Sequence, residues 1–175
     1  MEIKSIEPIK SIKILGRDGC CNCSRMFQDT VDIAAENNKI VKKISTIDYV
    51  KNIASIIGWD GTKDLKNRRF LSDLKDALTR WDDKPYKETC KKIENFENSI
   101  DALFIDCREP SEIEKFVNDF NAMTILITSK RIETVYGNHA DDCVDGYQYD
   151  IIIDNSRGLA ELQEEAQIFY DCFIK

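Results

Sequence analysis

The sequence is poor in the residues that punctuate a chain, with 7 glycines, 3 prolines and a single histidine in 175 residues. No Gly/Pro/Ser-rich linker, repeat or low-complexity tract divides it. One domain over residues 1–175 is therefore expected, large enough to bury a core without disulfide or metal staples. Long apolar runs are missing too: none approaches the roughly 18 residues of a membrane span. Met1-Glu2-Ile3-Lys4 does not open a secretory signal, so a cytoplasmic protein with no membrane partner is expected. Excess positive charge is also absent. A formal net charge of −7 argues against a nucleic-acid polymer as partner, because such binding draws on phosphate neutralisation by Lys and Arg. A small phosphorylated molecule or nucleotide stays compatible, since a local cluster of cations can hold it on an acidic surface. The 7 cysteines read as reduced thiols, mostly buried small hydrophobes.

What is present is an alternation of short apolar runs with longer helical patterns. Ile12–Leu15, Ile40–Ile44, Ala102–Asp106, Thr124–Ile127 and Asp150–Ile153 read as strands. Their nearly continuous apolar character suits parallel strands covered on both faces. Helical spacing appears at Phe27, Val31 and Ala34, and at Val50, Ile53, Ala54 and Ile57 behind a cap at Asp48. It recurs at Leu71, Leu74, Leu78 and Trp81, then at Cys90, Ile93, Phe96 and Ile100. Ile113, Phe116, Val117 and Phe120 follow Pro110 and a capping-box pair, Ser111 and Glu114. Leu159, Leu162, Ala166, Phe169, Tyr170 and Phe173 mark a last helix after Gly158. The expected fold class is α/β, a three-layer fold with a five-stranded mostly parallel sheet and a helical insertion over about 48–100, which the loop and the resemblance described below make P-loop NTPase-like. Ligands of such folds bind beyond the carboxyl ends of the strands.

The segment after the first strand, Gly16-Arg17-Asp18-Gly19-Cys20-Cys21-Asn22-Cys23-Ser24, stands where a phosphate-binding loop would stand. A strict loop reads Gly, four residues, Gly-Lys, then Ser or Thr. Aligned from Gly16, the second glycine falls on Cys21, the lysine on Asn22 and the magnesium-binding hydroxyl on Cys23. Only the first glycine matches. The context survives, because a helix N-terminus still offers N–H groups and a positive dipole end to an anion.

Ile57-Gly58-Trp59-Asp60-Gly61-Thr62-Lys63-Asp64, continuing through Arg68-Arg69-Phe70-Leu71-Ser72-Asp73-Leu74, resembles a segment of the deoxynucleoside monophosphate kinase group of P-loop kinases. Ile105-Asp106-Cys107-Arg108-Glu109-Pro110 resembles their strand-to-helix junction, and Tyr149 to Leu162 resembles their last strand and helix. The resemblance implies ATP and Mg as ligands, a phosphate loop over Gly16, Arg17, Gly19, Cys21, Asn22, Cys23 and Ser24, and a lid near Lys130 and Arg131. The departure falls at Asn22 and Cys21. Loss of the lysine predicts impaired phosphoryl transfer, which depends on positioning and charge stabilisation; Arg17 or Arg25 is the substitute within reach.

The remaining candidates each carry two readings. Asp106, ending an apolar strand, either holds magnesium through water or caps the turn that follows. Arg108 reaches a nucleotide or pairs with Glu112, and Arg131 completes the catalytic set with them. Lys63, Arg68 and Arg69 grip the phosphate of a monophosphate acceptor, or form a solvated face paired with Asp64, Asp73 and Asp76. Trp59 packs a base or anchors its turn. Cys20, Cys21 and Cys23 fill a degenerate turn, present a reactive thiol, or contribute to a metal site completed by His139, Cys107 or Cys143. A non-catalytic nucleotide or phosphate sensor is the alternative to a kinase.

Overall fold

The computed structural model describes residues 12–16, 21–62, 64–96, 99–128, 147–156 and 158–175, with 12–16 and 21–24 described by backbone alone. The strands are β1 (Ile12–Gly16), β2 (Val41–Ser45), β3 (Ala102–Asp106), β4 (Met123–Thr128) and β5 (Ile151–Asp154). The helices are α1 (Cys21–Glu36), α2 (Asp48–Ile56), α3 (Leu65–Asp82), α4 (Lys84–Phe96), α5 (Pro110–Phe120) and α6 (Leu159–Phe173).

Two small parallel pairs are described with side chains as well as backbone. In β2–β3, Val41 lies beside Ala102 and Ser45 beside Asp106; in β4–β5, Ile125 lies beside Ile151 and Thr128 beside Asp154. The backbone of β1 runs between the pairs, in the order β2-β3-β1-β4-β5. The expected fold class is corrected on this point. The side chains define a mixed helix and strand domain with two two-stranded parallel pairs and six helices, in place of a five-stranded sheet of the P-loop NTPase-like kind. The physical reason is the brevity of the runs. Five residues in β2 and four in β5 leave little ladder.

β3 is the centre of the packing because it is apolar on both faces. Ala102 and Phe104 enter one cluster with Met26, Phe27 and Ala34 of α1, Ile125 and Ile127 of β4, and Leu162, Ala166, Phe169 and Tyr170 of α6. Leu103, Ile105 and Cys107 enter another with Tyr86 and Ile93 of α4 and Ile113 and Phe116 of α5. This is why the β3 run lacks the alternation of a half-exposed strand. Phe104 is fully buried, its ring 4.2 Å from Phe27 and 5.8 Å from Phe169. Tyr86 and Phe116 stack at 4.8 Å across the second cluster.

Helix entries differ from the capping expectations. Asp48 is the first residue of α2 and not its cap; Ile47 holds that position, and Asp48 Oδ2 accepts the Ser45 N–H at 2.9 Å. In α5 the cap position is Glu109, with no side-chain cap bond, and Pro110 opens the helix. Proline suits that place because its missing N–H would have lacked a helical partner anyway, so Ser111 and Glu114 fall inside the helix. At α3 the cap is Asp64, whose Oδ1 accepts the Asn67 N–H at 2.7 Å. The buried face of α3 is also turned from the expected one: Trp81 is 71% exposed, and the helix's buried residue is Lys75.

Candidate functional site at the carboxyl ends of the strands

Parallel pairing brings the carboxyl ends of the strands to one rim. Register places Leu15 beside Asp106, Ser45 beside Asp106, Gly16 beside Leu126, and Thr128 beside Asp154. The chain leaves β1 towards β2 and leaves β4 towards β5, and a crevice between strands whose connections diverge is where parallel sheets bind ligands. Gly16 ends β1 at that rim, and Cys21, Asn22, Cys23 and Ser24 form the first turn of α1 by backbone. Arg17, Gly19, Cys20, Lys63, Lys130, Arg131, His139 and Cys143 lie outside the described residues, as do the side chains of Cys21 to Ser24.

Asp106 ends β3 at this rim. Its backbone C=O accepts from Thr46 N at 3.2 Å and from Ser45 Oγ at 3.2 Å, tying it to the turn after β2. Its side chain, 38% exposed, faces Lys43 Nζ at 3.7 Å. Burial pushes the Asp106 carboxyl above the usual carboxylate range; Lys43 and Lys51 oppose this, and the neighbouring Asp48 adds to it. The carboxylate side chain thus faces Lys43 across the β2–β3 pair and stays partly open to solvent.

The segment after Asp106 is fixed by a buried ionic cluster. Lys75, 8% exposed, reaches across from α3. Its ammonium donates to Glu109 Oε1 and Glu112 Oε2, each at 2.8 Å. The Cys107 thiol donates to the same Glu112 oxygen at 3.2 Å. Burial works against the Lys75 charge, but Glu112 and Glu109 outweigh it and hold the ammonium well above its ordinary pKa. Burial and the Glu112 carboxylate push the Cys107 thiol up. Glu112 is therefore engaged by Lys75. Arg108 itself is half-buried between Asp106 and this cluster.

The Trp-Asp-Gly segment is a self-bonded turn between α2 and α3. Trp59 N–H donates to Ala54 O at 2.9 Å, and its indole Nε1 donates to Thr62 O at 3.1 Å. Asp60 Oδ1 accepts Thr62 N–H at 2.9 Å, and these bonds with Thr62 draw the Asp60 carboxyl below its ordinary pKa. Gly58 and Gly61 take φ of +101° and +90°, a conformation costly for any residue with a Cβ. The turn thus accounts for both glycines and for the indole N–H. Arg68 and Arg69 are exposed in the first turns of α3.

Sequence reasoning missed Lys75. A lysine amid Leu71, Leu74 and Leu78, with two glutamates three apart at the far junction, was the available signal: a buried lysine needs a carboxylate partner. Among the described residues no group of three His, Cys, Asp or Glu side chains is placed to hold a metal ion. No described helix is long and apolar enough to cross a membrane. Compared with known proteins, the chain matches no family model and no curated protein.

Proposed function

We propose that this chain binds ATP-Mg and a phosphorylated nucleoside at the carboxyl-end rim, as a protein of the nucleoside monophosphate kinase kind, with phosphoryl transfer impaired. The observation that carries the reading is Asp106. A strand-end carboxylate that burial pushes up, set 3.7 Å from Lys43, is a cost to folding, and such costs concentrate where charge is used. A hard oxygen donor of this kind suits magnesium, which retains most of its waters and takes one or two carboxylates together with substrate phosphates. Magnesium, when bound, would neutralise phosphate charge; Asp106 would orient its water shell. The N–H groups at the start of α1 would meet phosphate oxygens, and Arg68 would supply a cation for the acceptor phosphate.

Asn22, in the place of the expected lysine, carries no charge to offset that of the phosphates, which favours binding over turnover. A sensor of nucleotide or phosphate that retains the site is the second reading, and the same two residues, Cys21 and Asn22, motivate it. Calorimetric titration with ATP-Mg, paired with a turnover assay over a panel of nucleoside monophosphates, tests both. Binding with slow turnover that rises in Asn22→Lys with Cys21→Gly supports the impaired kinase. Binding with no turnover in either protein favours the sensor. No binding in either protein overturns the reading.

A further inference from the structure

We infer that Lys75 is a positioning residue: it sets the rotation of α3 against the β3–α5 junction and so turns Arg68 towards the rim. This rests on the nucleotide-binding reading above. Three observations converge on it.

Lys75 is the buried residue of α3, and both of its carboxylate partners sit on the far side of the junction, one and four residues after Arg108. The ammonium therefore fastens one face of α3 to the segment that carries Asp106 and Arg108. Arg68 stands seven positions before Lys75. At 3.6 residues per turn that is within about 20° of two full turns, some 10 Å along the axis, so both residues share a face. Arg69 lies about 100° further round, on the side where Asp73, Ala77 and Arg80 are exposed. Leu71, Leu78 and Thr79, the half-buried neighbours of Lys75, flank the Arg68 side. The cluster is also stiff, because Glu112 is held a second time by Cys107. A rotation of α3 would have to break both of the 2.8 Å ion-pair contacts at once.

A role in positioning, as opposed to stability alone, predicts a split between two ligands. Lys75→Met should weaken the affinity for a deoxynucleoside monophosphate about tenfold or more, as loss of charge-assisted phosphate bonds does, and change ATP-Mg affinity less than about twofold. Arg68→Ala should reproduce that split, and Arg80→Ala, on the exposed side, should leave both affinities unchanged. Lys75→Met strands two carboxylates, so the triple variant with Glu109→Gln and Glu112→Gln, which removes that charge, must show the same selective loss. Titration calorimetry with dTMP, dGMP and ATP-Mg reads all of these. Wild-type protein that binds these ligands, with Lys75 variants that weaken both classes equally or neither, overturns the inference and spares the functional reading. Wild-type protein that binds neither class overturns both.

Discussion

At the scale of single residues, the charges near the end of β3 behave in opposite ways, and each predicts a different pH response. Burial raises the Asp106 carboxyl above its ordinary 3.8, with Lys43 and Lys51 opposing. A raised folded pKa means that the group's contribution to stability is full below about 4 and is lost as pH rises through the folded value. Asp106→Asn should therefore melt slightly higher than wild type at pH 7, by about one or two degrees. The figure is kept small because the side chain is 38% exposed and solvent screens it. The difference should shrink as pH falls below about 4, and equal melting temperatures at every pH would contradict it. Lys75 is the reverse case. Its carboxylate partners overcome burial, so its contribution is full below the ordinary lysine value of 10.5 and is lost only in strong alkali. Lys75→Met should cost roughly 3–5 kcal/mol in urea denaturation, since it leaves Glu109 and Glu112 buried without their cation. Cysteines separate by burial: Cys172 is exposed, whereas Cys107 is buried and bonded to Glu112. A thiol reagent at pH 8 should label Cys172 in the native protein and reach Cys107 only after denaturant is added, and equal labelling rates would refute the assignment.

At the scale of elements, the apolar runs disclosed much and the polar details little. The core runs of β3 and β4 were legible because both faces of each are covered, and Phe104 and Ile125 are fully buried. The helices followed from period alone, with limits shifted by a residue or a turn. Caps were not legible at Asp48 or Ser111, because several polar residues compete at each entry and tertiary packing chooses among them; at α5, Pro110 decided the start. The sheet was over-read, since separate short runs do not say whether their pairing extends beyond two strands. Of the site, Asp106 could be found from its place at the end of an apolar run. Lys75 was harder to find, because only its apolar neighbours Leu71, Leu74 and Leu78 hint at burial and its partners lie 34 and 37 residues away. Asp64 provides a direct test of element-level reasoning. Its carboxylate caps α3 through the Asn67 N–H, so Asp64→Ala should cost about 1 kcal/mol, measured by urea denaturation. No change in stability would remove the cap from the account.

At the scale of the whole molecule, the decisive feature is direction. Parallel strands gather Gly16, Ser45, Asp106, Thr128 and Asp154 at one rim. The self-bonded Trp59 turn and the Lys75 cluster tie α3 to the junction after β3, and under the proposed function Asn22 would leave phosphoryl transfer short of a cation. Binding should therefore outlast catalysis. The most direct measurement is calorimetric titration of the full chain with ATP in the presence and absence of magnesium, on wild type and Asp106→Asn. The account predicts saturable binding that magnesium strengthens, and that Asp106→Asn weakens about tenfold with magnesium and hardly at all without it. Absence of binding, or binding indifferent to both magnesium and Asp106, would contradict it.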